Sequence, residues 1–447
     1  MRGYYLLFFL IVYSCHITAQ EIKAGELLRM QCRSDSNQHY SLYLPKNYQS
    51  GKKYPVVIFL DPAARGRFPV EKYRSVADEQ ELVLAGSSES KNFDAGSSAG
   101  SVTAIITDLV KSINTDESRI WLAGFSGGAR MASSYAVANS TIAGVIACGA
   151  GFAGEDFYNS SRNIAFAGLV GYRDMNFEEL LGIKDELTAK NKANLLLIFN
   201  GGHEWPPEDQ LSLALLWLNK ESSLMVMNKL QSDPAYFLRQ TNEAKKAGLH
   251  YLSLLQANEL RKIPALSAIA DSLISNAGPA KTIAKGKKSF DISLNEERGS
   301  MDQLSFLFGQ FVLSGSDKPG NDDLWKQEAQ HINSLRTVKN KYSQLSGERL
   351  FDFSWRICIE QYYWLMGSKQ YKQAYKAAYV LSFFTPTGLD PDYLMSRAAA
   401  GLADRSLCLH HLGLSVKKKT TLKETILNDD LIMAVIGREE AEKLFGD

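Results

Sequence analysis

Along the first half of the chain, apolar residues fall into short unbroken runs separated by longer stretches of helical periodicity. The runs are Tyr54-Pro55-Val56-Val57-Ile58-Phe59-Leu60, residues 82–86, Arg119-Ile120-Trp121-Leu122-Ala123, residues 142–147, residues 163–170 and Leu195-Leu196-Leu197-Ile198-Phe199. Short runs of this kind read as strands buried on both faces, as in a parallel sheet. An alternating segment, 39–44, reads as an earlier strand. Helices are predicted over 101–113, 129–138, 177–189 and 207–219. In the first of these, Val102, Ile105, Ile106, Leu109, Val110 and Ile113 make a stripe near the helical period. The alternation predicts an α/β fold, a doubly wound and mostly parallel sheet with helices on both faces. The polar, glycine-containing stretch 87–98 is expected to border a cleft at the carboxyl edge, and no large lid insertion is seen.

From about residue 221 the strand signals fade and helical stripes dominate. Asn321-Asp322-Asp323-Leu324-Trp325 opens a helix with a capping signal, continued by Ala329, Ile332 and Leu335. Residues 281–288 are basic and contain a glycine, which reads as a solvated linker. Residues 354–366 and 371–384 read as a helical hairpin. Gly367 to Tyr371, Ala374, Ala378, Pro386, Tyr393 and Ala398 resemble a degenerate tetratricopeptide repeat, without a clean repeat period. An irregular helical bundle packed on the first half is the other reading. The predicted organisation is a leader at 1–19, an α/β domain at 20–220 and an all-α domain at 221–447. The helical half is expected to add binding, a protein partner included, or stability, but no catalytic group. His410-His411 reads as a surface pair.

The leader has a short positive start, an apolar core over 4–13 too short to span a bilayer, and a cleavage point at Ala19-Gln20. It predicts export to the periplasm or beyond. Lipidation at Cys15 is the alternative, although Tyr13 fits a lipobox poorly, and an uncleaved interfacial anchor is a third reading. No later segment is long and apolar enough to be transmembrane. The 50 basic and 49 acidic residues are mixed, for a net charge of +1, which gives no basic footprint for nucleic acid. After cleavage four cysteines remain, Cys32, Cys148, Cys358 and Cys408, with no spacing that asks for a metal or redox cofactor.

Gly124-Phe125-Ser126-Gly127-Gly128 lies between a predicted strand and a predicted helix. A serine on such a turn holds its hydroxyl out at the sheet edge. The hydroxyl is a poor nucleophile near neutral pH and needs a base, which itself needs an orienting group. His203 follows the strand 195–199 on the loop Asn200-Gly201-Gly202-His203-Glu204-Trp205. Asp174 follows the strand 163–170 in Gly171-Tyr172-Arg173-Asp174. All three therefore stand in the same relation to their strands, in the order Ser, Asp, His. Asp156 and Glu155 are rivals for the carboxylate role.

With these pieces the first half, about 20–220, resembles the α/β-hydrolase superfamily. It is most similar to secreted esterases related to polyhydroxybutyrate depolymerases, feruloyl esterases and dienelactone hydrolases. The resemblance implies Ser126 as nucleophile, His203 as general base and acid, and Asp174 as orienting carboxylate. It also implies an oxyanion hole, with Gly127 giving one N–H. One departure concerns the other donor. The family has His-Gly after its early central strand, whereas here Leu60 runs into Asp61-Pro62-Ala63-Ala64-Arg65-Gly66. Pro62 has no N–H, so Ala63 or Ala64 is expected to donate. Arg65, Arg67 and Trp205 are candidate substrate contacts. The expected function is cleavage of a small-molecule or polymer-linked carboxylic ester, with no cofactor. A peptidase on the same residues is one alternative. The missing His-Gly motivates another, a catalytically weak, hydrolase-like binding protein whose helical half recruits a partner.

Overall fold

A computed structural model describes residues 22–446 except 93, 153, 220–222, 315–321, 419–420 and 422. The leader with Cys15 and Ala19, the cap at Asn321 and the junction at 220–221 lie outside the described residues. Eight strands form one sheet: β1 (Leu27–Gln31), β2 (His39–Tyr43), β3 (Tyr54–Leu60), β4 (Val83–Ser87), β5 (Thr115–Phe125), β6 (Ile142–Cys148), β7 (Ala165–Gly171) and β8 (Asn194–Phe199). Their order across the sheet is β1-β2-β4-β3-β5-β6-β7-β8. The β1–β2 and β2–β4 pairs are antiparallel, and every other pair is parallel. This is the α/β-hydrolase fold, followed by a large helical region. The register between β3 and β5 slips between Tyr54 and Val56, where Pro55 has no N–H for a ladder bond.

All seven residues of β3 are buried, and they alternate between two cores. Val56, Ile58 and Leu60 join the core beneath helices Ala95–Ser112, Gly127–Ala138 and Phe177–Ala189. Val57 and Phe59 join the core beneath Arg74–Gln80 and Glu208–Leu218. Sequence patterning did not reveal β1 or the two short helices Arg67–Lys72 and Arg74–Gln80. Helix Ala95–Ser112 starts earlier than its apolar stripe, because the Asp94 side chain caps it by accepting from the Ser97 N–H at 3.2 Å.

The helical half continues both cores. Ala244, Leu249, Leu252, Phe290 and Tyr342 pack into the first, and Val226, Leu230, Phe237, Leu260 and Ile263 into the second. Helix His250–Leu260 runs along the open edge of β8 and closes it with side chains. The Leu196 N–H donates to Glu259 (2.8 Å), and Gln256 Nε2 donates to the Ile198 carbonyl (2.6 Å). Further on, helix Lys341–Gly367 packs with Tyr371–Leu381 as a hairpin around a third cluster.

Two expectations fail here. Residues 281–288 are not a linker but part of the helix Ala280–Phe308. Lysine and alanine are good helix formers, and a single interior glycine costs only about 1 kcal/mol. His410 is exposed, but His411 is buried on helix Arg405–Lys418. Its ring bonds Asp392 at 2.9 Å and the Tyr375 hydroxyl at 2.8 Å, so its polar atoms are matched inside the fold. Among the described residues no helix is long and apolar enough to cross a membrane.

Candidate active site

Ser126 sits between β5 and helix Gly127–Ala138 with φ 53° and ψ −122°, a backbone conformation that a non-glycine residue adopts only under strain. Close packing holds it there. A Cβ on Gly124 would stand 2.1 Å from the Gly128 carbonyl oxygen, and one on Gly128 would stand 2.1 Å from that of Leu60. The two glycines let the helix start lie against the ends of β5 and β3. The Ser126 N–H donates to the Cys148 carbonyl at 2.9 Å. The Cys148 thiol is itself buried in β6, and burial pushes its pKa up, so it behaves as core.

The loops after β7 and β8 bring the other two residues to this point. His203 Nε2 lies 3.0 Å from Ser126 Oγ, and His203 Nδ1 lies 3.0 Å from Asp174 Oδ1. Neither the imidazole nor the carboxylate is open to solvent, with side-chain exposures of 2% and 0%. Asp174 Oδ1 also accepts from the Asn176 N–H at 2.9 Å, while Oδ2 is buried with no hydrogen-bond partner among the described residues. Phe125 packs against the His203 ring, with centroids 4.7 Å apart. The carboxylate within reach of His203 is thus Asp174. Glu155 and Asp156 lie instead at the start of the short helix Asp156–Asn159.

The loop after β3 departs from expectation. The Ala63 N–H donates to Asp61 Oδ1 at 2.9 Å, and the Ala64 N–H donates to the Asp61 carbonyl at 3.1 Å. Both expected oxyanion donors are therefore consumed within their own turn. The Asp61 carboxylate that holds the Ala63 amide is fully buried. Arg65 grips it through Nε (3.0 Å) and Nη2 (3.1 Å), and Trp205 Nε1 donates to it at 3.0 Å. Burial alone would push this carboxyl up, but the donors Arg65, Trp205 and Ala63 outweigh it and hold the group below its ordinary range. Arg65 and Trp205 are thereby tied to the scaffold, and Arg67 faces solvent beside Glu71 at 3.6 Å. None of these three lines the cleft. Gly127 does. It is the first residue of its helix, where an N–H has no partner within the helix.

The cleft over Ser126 has a volume of about 560 Å³. Asn92 lines it, and so do residues missed in the sequence, among them Arg130, Asn176 and Glu360. Arg130 is held by Glu179 through two bonds of 2.6 and 2.9 Å. Asn92 falls in the polar stretch expected to border the cleft. Glu360 comes from helix Lys341–Gly367 of the helical half, a region the sequence reading gave no part in the cleft. On that helix, Asp352 accepts from Arg356 Nε at 2.7 Å and leaves Oδ2 buried without a partner among the described residues. Burial pushes the Asp352 carboxyl up, against the pull of Arg356. Among the described residues no group of three His, Cys, Asp or Glu side chains is placed to hold a metal ion.

No protein-family model matches this sequence, and no curated protein matches it. Solved structures do. An S-formylglutathione hydrolase from Staphylococcus aureus is 14% identical over 43% of this chain and 95% of its own, with a TM-score of 0.36. The feruloyl esterase module from Clostridium thermocellum is 14% identical over 41% of this chain and 83% of its own, with a TM-score of 0.35. A thermostable esterase from Pseudomonas putida is 13% identical over 40% of this chain and 74% of its own, with a TM-score of 0.33.

Proposed function

We propose that the chain is an exported serine hydrolase that cleaves a carboxylic ester, with Ser126, His203 and Asp174 as its triad. The observation that carries this reading is the unbroken hydrogen-bond path from Ser126 through His203 to Asp174, both links 3.0 Å, at the carboxyl ends of β5, β8 and β7. Export rests on the leader pattern alone.

Ser126 Oγ attacks the ester carbonyl while His203 Nε2 takes its proton. Asp174 holds the imidazole by Nδ1 and balances the imidazolium. The carbonyl electron pair moves onto oxygen, and the Gly127 N–H donates a hydrogen bond to that oxygen. When that pair returns, the alkoxide leaves with the proton from His203, and an acyl group remains on Ser126. Water, activated by His203, repeats the sequence and releases the acid. The cleft is open enough for a small ester or the end of a longer one.

A second reading is a hydrolase-like binding protein of low turnover, and the engaged amides of Ala63 and Ala64 favour it. One experiment separates the two. Purified protein should label covalently with a fluorophosphonate, and Ser126→Ala should not. A folded wild type that stays unlabelled would sink the hydrolase reading.

A further inference from the structure

We propose that the side-chain amide of Asn92 is the second oxyanion donor of the Ser126 centre, taking over the task that the loop after β3 does not perform. The inference rests on the serine-hydrolase reading above. A tetrahedral oxyanion is held best by two or more fixed donors, and the Gly127 N–H supplies one. The neighbouring loop does not offer the expected one: Pro62 has no N–H, and those of Ala63 and Ala64 are bonded to Asp61.

The structure puts another group beside this gap. The loop after β4 is bound to the loop after β3 by an antiparallel bridge between Ala63 and Lys91 and by donation from the Asn92 N–H to the Pro62 carbonyl at 2.9 Å. This seats Asn92 at the cleft wall beside the nucleophile. Its amide lies directly on Gly127. A Cβ built there would stand 1.8 Å from Asn92 Oδ1 and 3.2 Å from Nδ2. A side chain on residue 127 would therefore displace this amide.

The Asn92 amide lines the cleft together with Ser126 and Gly127. Its oxygen and nitrogen exchange places by a half-turn about the last side-chain bond, so either face of the amide can present Nδ2 to the cleft. When Ser126 Oγ adds to the carbonyl carbon, the π pair moves onto the carbonyl oxygen. Asn92 Nδ2–H and the Gly127 N–H then stabilise that charge together. No proton passes to or from Asn92, and the pair returns when the leaving group departs.

The test is steady-state hydrolysis of p-nitrophenyl acetate by the full chain and two variants. Asn92→Ala removes the donor, and Asn92→Asp keeps the shape but has no N–H to give. Both should lose about a hundred- to a thousand-fold in kcat. KM should stay within about threefold, because the donor acts on the transition state. Slow fluorophosphonate labelling should still run to completion, since Ser126 and His203 are untouched. A kcat within about threefold of wild type in both variants would overturn the proposal. So would a rise in KM with kcat unchanged, which would make Asn92 a binding residue. If Asn92→Ala loses thermal stability, the isosteric Asn92→Asp decides. A wild type that neither labels nor turns over rejects the hydrolase reading, and this inference falls with it.

Discussion

Asp174 makes its side-chain hydrogen bonds through one oxygen. Oδ1 receives both His203 Nδ1 and the Asn176 N–H, while Oδ2 has no described partner. Asp174→Asn would keep the shape but can present an amide where the imidazole needs an acceptor, so the ring would take the wrong tautomer. We expect turnover of p-nitrophenyl acetate to fall about a thousand- to ten-thousand-fold with an unchanged melting temperature. Full activity in that variant would move the orienting role elsewhere. Ser126, Asp174 and His203 were legible because each closes an apolar run, and the ends of parallel strands meet along one edge. The Asp61 network was not legible. Its partner Trp205 lies 144 residues away, and nothing local shows that a loop aspartate will be buried and gripped by three donors. Asp61 also takes up the Ala63 amide on its carboxylate and the Ala64 amide on its backbone carbonyl.

Helix Lys341–Gly367 shows how one element from the second half reaches the first. Arg349 is nearly fully buried and pairs with Glu297 of helix Ala280–Phe308, with Nε–Oε1 at 2.7 Å. Its Nη1 donates to the Tyr172 carbonyl at 2.8 Å, two residues before Asp174, and its guanidinium lies 4.7 Å from the Phe177 ring. The contact thus joins two long helices and the loop that carries Asp174. Arg349→Leu would leave Glu297 buried and unpaired, at a cost of about 3–5 kcal/mol. Urea unfolding should show that loss, and adding Glu297→Leu should recover a large part of it. A single variant as stable as wild type would show that the pair bears no such weight. Strands β3 to β8 were readable from apolar runs, since both their faces are covered. The face of helix Lys341–Gly367 was not, because a charged stripe reads the same whether it meets water or a polar cleft.

The two halves meet most closely at β8, the last strand of the sheet. An uncovered edge strand leaves a row of backbone groups open to pairing with other chains. Here the cover is made of side chains from beyond residue 220. Glu259 takes the Leu196 N–H, Gln256 meets the Ile198 carbonyl, and Gln240 takes the Asn200 N–H at 2.8 Å. Val226, Leu230, Phe237 and Leu260 cover the adjoining apolar face. The sequence suggested that the first half would stand alone, because the triad and the last helix of the hydrolase pattern are complete by residue 220. Hydrophobic periodicity marks where a helix has an apolar face, but not which surface that face will cover. We expect a chain ended at Asn219 to expose both the β8 edge and this apolar face, and therefore to aggregate and to lose fluorophosphonate labelling. Size-exclusion chromatography with in-gel labelling would measure both. A shortened chain that elutes as a monomer and labels at the full rate would show that the helical half is dispensable for the serine centre.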